Sequence, residues 1–526
     1  MPKVDSGEST GRHALLVAAG ILISRIVGLV RQRVFSSYFG LLDEADAFSS
    51  ALRVPNFLQN LFGEGVLSAS FIPVYARLLA EGDDEEADRL AGAVGAILAM
   101  SSSVIVLLGV AATPFLMWGI APGYHGPKRE LTILLVRILF PGAGLLVCSA
   151  WCLGILNSHR KFFLSYTAPV VWNLAMIGTM LAFRHDALHD LAVKLAWGTV
   201  LGCVLQFAVQ LPVVLQLTRK LRLRPDTHSA HVREVLKNFL PVAVSRGVVQ
   251  ISAYVDQALA SMVGAGAMAA MTAAQSIYML PVSLFGMAVS AAELPAMSSA
   301  VGTETEIAVR LRGRLNGGLR QIAFFIVPSA MAFFALGDVV TGALYEHGKF
   351  THKDSVYVWA IIAGSGVGLL ASTLGRLYAS TYYALRDTRT PLRYASLRVA
   401  LTIGLGYLCA LPLPRWLGID AHWGAAGLTA SAGVAGWVES TLLRRTLNAR
   451  IGTTGVPAGL VARLWVGAAV GAAAAWGIKL AIVGVRPELT AIFVLVPYGL
   501  IYFAVTYLLR VEECGAMFGK LARLRR

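Results

Sequence analysis

Charged side chains interrupt the long apolar runs of this chain at Arg25, Arg31, Asp46, Arg53, Glu64, Arg246, Asp256, Glu293, Arg376 and Arg398. An arginine surrounded by hydrocarbon costs several kcal/mol, roughly 3 on insertion scales, and is tolerated where it faces a hydrated cavity or an anion. Arg33 and Arg376 are placed to snorkel toward a membrane surface, and Arg31 and Asp46 also lie near segment ends. Arg25, Arg53 and Arg246 are harder to dismiss in this way. Glu64 and Glu293 read either as neutral acids in packed helices or, with Asp46 and Asp256, as gating or cavity charges. A guanidinium is a planar fork that stays charged and donates two hydrogen bonds to one phosphate. Cations with few opposing acids, set in apolar surroundings, fit a diphosphate that carries a lipid tail.

Elements must hold these groups inside a membrane. The 526 residues are 56% hydrophobic and only 14% charged, where a soluble domain has about 25% charged. Apolar runs of about 20 residues recur from end to end, which defines an all-α polytopic membrane protein. Fourteen segments are expected, near 13–39, 44–76, 88–118, 130–156, 162–183, 190–218, 234–262, 266–299, 318–344, 355–385, 391–411, 423–443, 458–483 and 489–509. Arg25 and Arg31 lie about 120° apart around an ideal helix, so they share a face only if the helix bends, and Gly28 between them permits that. Pro55, Pro73, Pro281 and Pro295 mark further places for broken helices.

The connections alternate in charge. The set containing "RKLRLRPDTHSAHVREVLK", "RLRGRLNGGLR", "RDTRTPLR" and "RRTLNAR" carries, with both tails, about 27 Lys and Arg; the set containing "APGYHGPKRE", "RHDALHD" and "YEHGKFTHKDS" carries about 7. This asymmetry places both termini and the basic loops in the cytoplasm and accounts for the net charge of +15. It leaves no basic soluble face for nucleic acid. The five cysteines lack metal-ligand spacing. The polar residues 1–12 lead into the first segment without a cleavage site for a signal peptide.

The order Ser-Arg, then Pro, then Ser-Ala-x-x-aliphatic-Pro occurs at Ser24-Arg25, Pro55 and Ser68 to Pro73, and again at Ser245-Arg246, Pro281 and Ser290 to Pro295. A repeat half a protein apart suggests two parallel six-helix lobes around a central cavity, with two extra C-terminal helices. The expected divisions are a cytoplasmic tail (1–12), an N-lobe (13–218), a basic linker (219–233), a C-lobe (234–443), a second linker (444–457), the last two spans (458–509) and a basic cytoplasmic tail (510–526).

The stretches "SRIVGLVRQRVFSSYFG", "DAFSSALRVPNFLQNLFGEGVLSASFIPVYA", "LYEHGKFT" and "YYALRDTRTPLRYA" together resemble the MurJ/MviN family of lipid II flippases, within the multidrug/oligosaccharidyl-lipid/polysaccharide exporter superfamily. The resemblance spans essentially the whole chain. It implies fourteen spans, two lobes and a cationic cavity in a bacterial inner membrane. It also implies export of lipid II, the undecaprenyl-diphosphate-linked peptidoglycan precursor, by alternating access. Arg25, Arg31 and Asp46 match family positions important in the cavity; Arg53 matches a basic position, and Glu64 the acid of an acidic-Gly pattern in the second span. Membrane lipids and cell-wall synthesis proteins are the further implied partners.

Departures from the family are specific. Gln59 and Asn60 stand where paired arginines are common, and Ser276 stands where the eighth span has one. Arg246, with Arg398, is the expected replacement for that charge. Asp256 matches the acid of a sodium site found in some members, but the partner positions in span eleven are Thr402 and Gly406, so no metal and no cofactor is expected. There is no G-x-x-x-x-G-K-[ST] loop for ATP. Competing readings are an exporter of another lipid-linked saccharide or of a drug, a membrane enzyme, and a scaffold for cell-wall enzymes. A drug exporter for cations would have an acidic cavity. An enzyme would need clustered acids with histidine or metal ligands, and here the acids are scattered. A scaffold has no use for buried arginines.

Overall fold

The computed structural model describes residues 7–218, 220–298, 303–482 and 484–515. All regular structure among them is helical, and the chain divides into two compact units, residues 1–261 and 262–526. Unit 1 contains α1 (Gly7–Phe39), α2 (Asp43–Phe62), α3 (Glu64–Ser70), α4 (Ile72–Glu81), α5 (Asp84–Ile120), α6 (Gly126–Ser158), α7 (Phe162–Ala182), α8 (Leu188–Leu217) and nearly all of α9 (Ala230–Val263). Unit 2 contains α10 (Ala267–Pro281), α11 (Ala288–Ser298), α12 (Glu304–Ala335), α13 (Gly337–Tyr345), α14 (His352–Ala384), α15 (Arg389–Ala410), α16 (Pro412–Trp416), α17 (Gly424–Ile451), α18 (Ala458–Ala481) and α19 (Pro487–Leu508).

Ten stretches among the described residues are long and apolar enough to cross a membrane: α5, α6, α7, α8, α10 with α11, α12, α14, α15 with α16, α18 and α19. The other expected segments are also helical, namely α1, the α2–α4 run, α9 and α17. Three of these four carry most of the candidate charges.

The second expected segment is broken at Gly63, not at Pro55. Gly63 is extended (φ −88°, ψ −152°), and a side chain there would meet the Gln59 carbonyl oxygen at 2.0 Å. Glycine alone lets α3 turn back so closely. Pro73 opens α4, where its missing N–H costs nothing. After Pro281 the helix widens into one π-turn, Val282–Met287, since proline cannot donate the regular bond. Helix α1 is uninterrupted through Gly28.

Inside unit 1, α6 packs against α2, α5 and α8, and α7 lies between α1 and α8. A polar chain joins α6 to α8: Gln206 Nε2 donates to Ser149 Oγ (2.9 Å), which donates to Gln210 Oε1 (2.7 Å). In unit 2, α14 and α17 meet at glycines; a Cβ on Gly368 would lie 2.3 Å from the Gly433 Cα. Helices α18 and α19 dock on α12 and α13 through Tyr498 and Tyr502, whose hydroxyls donate to the Pro328 and Phe324 carbonyls (both 2.6 Å). Lys479 of α18 also pairs with the buried Asp338 of α13 at 2.5 Å. Large apolar side chains remain exposed on α5 (Leu107, Phe115, Trp118) and α19 (Ile492, Val496, Leu500), as hydrocarbon contact requires.

Three helices end in the same way. After α6, α14 and α19, an arginine adopts the left-handed conformation (Arg160, Arg386 and Arg510, φ 54–58°), and the next N–H bonds five residues back. Glycine is the usual residue at this cap. Arginine accepts the backbone strain and places a cation at the negative helix end. All three belong to the basic set of connections.

The stretch "RDTRTPLR" is explained by the start of α15. Asp387 Oδ1 accepts from the Arg389 and Thr390 N–H groups (3.1 and 3.0 Å), and Oδ2 accepts from Thr390 Oγ1 and Arg450 Nη1 (both 2.7 Å). These donors, led by the Thr390 N–H, hold the Asp387 carboxyl down at about 2. Because the folded value lies below the unfolded one, its stabilisation is complete above about pH 4 and is lost as pH falls toward 2. Asp387→Asn will cost about 1 kcal/mol at neutral pH. In thermal unfolding, the gap to the parent will close as the pH is lowered through that window.

Candidate functional site

The two arginines of α1 occupy different surroundings. Arg25 is exposed, on a stretch where Leu22, Ile23, Ile26 and Val30 are exposed as well. Arg31, nearly two turns further on, is half-buried against α7. Its guanidinium carbon lies 5.3 Å from the centroid of the Trp172 ring, and Nη1 is 4.0 Å from Met176 Sδ. The 120° separation expected from sequence is therefore realised as two environments on one unbroken helix.

Arg53 is half-buried on α2, and the charge of Asp256 on α9 acts on it. An expected anion ligand thus lies within electrostatic reach of an expected gating acid. Arg246 lies in α9 and Glu64 opens α3, but the side chains of both fall outside the described residues.

Asp46 is fully buried near the start of α2. Its Oδ2 accepts from Lys128 Nζ of α6 at 2.6 Å, and the same ammonium reaches Asp43 Oδ1 at 2.9 Å. The ammonium also lies 4.4 Å from the Tyr124 ring centroid. Tyr124 shares a hydrogen bond with Ser50 Oγ (2.8 Å). The end of unit 1 that carries the 40–42 and 121–125 turns is therefore knit by one cation between two carboxylates.

Helix α9 closes onto this end with one polar stripe. Tyr254 Oη donates to the Arg53 carbonyl (3.3 Å), Gln257 Nε2 donates to the Ser50 carbonyl (3.3 Å), and Ser261 Oγ accepts from the Gly123 N–H (3.1 Å). The spacing i, i+3, i+7 puts all three on one face, and every partner atom is main chain. Phe57 packs edge-on against Tyr254, with centroids 5.4 Å apart.

In unit 2 two of the candidate charges have local partners, and Arg376 is exposed on α14. Glu293 pairs with Arg314 of α12 at 3.3 Å, and Arg398 with Glu439 of α17 at 3.2 Å. Ser276 donates to the Thr272 carbonyl one turn back (3.0 Å). Thr402 and Gly406 are buried on α15. Gln59 is half-buried and Asn60 exposed near the end of α2.

Sequence reasoning passed over Lys128, Trp172, Tyr254, Gln257 and Ser261. Lys128 sits in "GPKRE" and reads as a loop charge, while Trp172 reads as apolar core. The α9 stripe had a readable signal, three hydrogen-bonding side chains at helical spacing in an apolar run.

The model of the lipid II flippase MurJ family matches residues 35–507. The chain belongs to the lipid II flippase MurJ family. Among curated family members, the lipid II flippase MurJ of Burkholderia cenocepacia is 30% identical over 446 residues, covering 83% of this chain and 84% of the relative. The probable lipid II flippase MurJ of Rhizobium tropici is 31% identical over 443 residues, covering 83% and 80%. A solved lipid II flippase MurJ structure in an inward closed conformation superposes with a TM-score of 0.79 at 23% identity, covering 94% of this chain and 98% of that one. An inward-facing multidrug resistance MATE family transporter superposes at 0.65 with 18% identity, covering 83% and 98%. These two likenesses establish the fold.

Proposed function

We propose that this chain is a lipid II flippase, a transporter and not an enzyme. It carries the undecaprenyl-diphosphate-linked peptidoglycan precursor from the inner to the outer leaflet of a bacterial cytoplasmic membrane. The family match over residues 35–507 carries the reading. The arginines of unit 1 support it, because Arg25, Arg31 and Arg53 are cations on the polar helices of an otherwise apolar protein. In this reading Arg25 and Arg31 take the diphosphate. Arg53 is held by Asp256 until the site is occupied, and Arg246 supplies a further cation.

The finer architecture belongs to the same proposal. It comprises fourteen spans, a six-helix lobe from each half and two added helices, with both termini and the basic loops in the cytoplasm. Headgroup passage follows from rocking of the lobes while the lipid tail stays in the bilayer. The 40–42 and 121–125 turns then lie on the outer side. Membrane potential supplies about 2.3 kcal/mol per charge per 100 mV, enough to bias the crossing of an anionic headgroup. Cell-wall synthesis proteins are the proposed partners.

The test is to replace an essential lipid II flippase with this chain and to assay leaflet exchange of labelled lipid II. Growth with exchange is expected, with loss of about tenfold or more on Arg31→Ala, as for removal of a charged hydrogen bond. Growth without exchange would sink the transport reading, and no growth from a well-expressed protein would point to a different cargo.

A further inference from the structure

This inference rests on the reading of Arg31 as a diphosphate ligand. We propose that Trp172 is a positioning residue for Arg31, holding its guanidinium through the ring face so that the N–H fork is presented to phosphate.

Trp172 and Met176 lie four residues apart on α7, hence on one face. Both meet Arg31, the ring at 5.3 Å and the thioether at 4.0 Å. Attraction between a cation and a ring face takes up no N–H donor, and a thioether is a weak acceptor. The contact therefore restrains the side chain without spending its strongest hydrogen-bonding capacity. Lysine has no flat group to seat in this way.

The ring is itself restrained. Gly202 of α8 faces it, and a Cβ there would lie 2.9 Å from Trp172 Cδ1 and 3.0 Å from the Trp172 carbonyl oxygen. The indole also lines a small cavity with Leu52 and Asn56 of α2 and with Thr199 and Cys203 of α8. Asn56 is one turn past Arg53, so this cavity extends from Trp172 toward the second cationic position, and Trp172 is met from α1 and α8. A flexible arginine would lose much of its rotamer freedom on binding; seating it beforehand reduces that cost.

The experiment uses the full chain in lipid nanodiscs with two readouts. The first is the rate at which phenylglyoxal modifies Arg31, followed by peptide mapping. It needs no ligand. Trp172→Leu should raise that rate about fivefold, in line with loss of a cation–π contact, and Trp172→Phe should stay near the parent. The second is binding of undecaprenyl diphosphate against undecaprenyl monophosphate. Trp172→Leu should weaken the diphosphate lipid by about tenfold and the monophosphate by less, since a seated fork matters most for two-point contact. In an Arg31→Gln background Trp172→Leu should add nothing. An unchanged modification rate in Trp172→Leu overturns the proposal. So does an equal binding loss in both backgrounds, which would make Trp172 a packing residue. If the rate rises but the parent binds neither lipid, the positioning role stands and the flippase reading falls.

Discussion

Lys128→Met will be among the most damaging single substitutions in unit 1, costing about 3–5 kcal/mol, the scale for stranding one partner of a buried ion pair. Asp46 is fully buried, and its charge is met at 2.6 Å by an ammonium that is itself only 13% exposed. With that ammonium gone, the buried carboxylate loses the cation that meets it at 2.6 Å. The reverse change is milder. In Asp46→Asn the ammonium keeps Asp43 at 2.9 Å, whose side chain is 58% exposed, and keeps the Tyr124 ring. About 1–2 kcal/mol is expected there, the cost of a weakened charged hydrogen bond. The double variant Lys128→Met with Asp46→Asn should recover most of the loss, since uncharged groups of similar size replace a buried pair with little penalty. Thermal unfolding of the three proteins in one detergent reads this order. Equal losses for both single variants would mean that the pair is not the source of the effect.

The origin of that asymmetry also explains what was legible in the sequence. Helices and their apolar faces follow from local composition, and the polar helices could be picked out because Arg25, Arg31, Arg53 and Asp256 stand in apolar runs. The angular offset of Arg25 and Arg31 follows from helix geometry alone. The cap at Asp387 is visible in Asp-Thr-Arg-Thr-Pro. Pairings across helices are different in kind. Lys128 and Asp46 are 82 residues apart, Glu293 and Arg314 are 21 apart with a helix change between them, and Trp172 meets Arg31 across 141 positions. No periodicity links such residues; only the packing of α1 on α7, of α2 on α6 and of α11 on α12 does. The break at Gly63 escaped for a related reason. Proline announces a break by its own chemistry, whereas Gly63 is required by the approach of the Gln59 carbonyl, a fact of the folded backbone.

A cross-link between Gly123→Cys and Ser261→Cys should stop translocation completely and reversibly. The Gly123 N–H and Ser261 Oγ are 3.1 Å apart, which brings the two positions within reach of a cross-link. The α9 stripe offers three hydrogen bonds to main-chain atoms, each worth about 1 kcal/mol. They hold α9 on α2 and the 121–125 turn by about 3 kcal/mol together. A closure of that size is firm yet reversible, since it favours the closed end about a hundredfold. Because two of the bonds end on α2 carbonyls and the third comes from the Gly123 N–H, changes in α2 side chains leave the partner atoms in place, and the strength of the closure is set from α9. The proposed rocking requires α9 to leave this surface once per cycle, and a disulfide removes that freedom where hydrogen bonds only bias it. Oxidised protein should therefore show no lipid II exchange, reductant should restore it, and each single cysteine variant should work in either condition. Triple substitution Tyr254→Phe, Gln257→Leu and Ser261→Ala acts in the opposite sense, opening this end and raising the labelling of Ser50→Cys by an impermeant thiol reagent. Full exchange by the oxidised double variant would show that α9 stays on α2 throughout the cycle, and the moving surface would then have to be sought elsewhere.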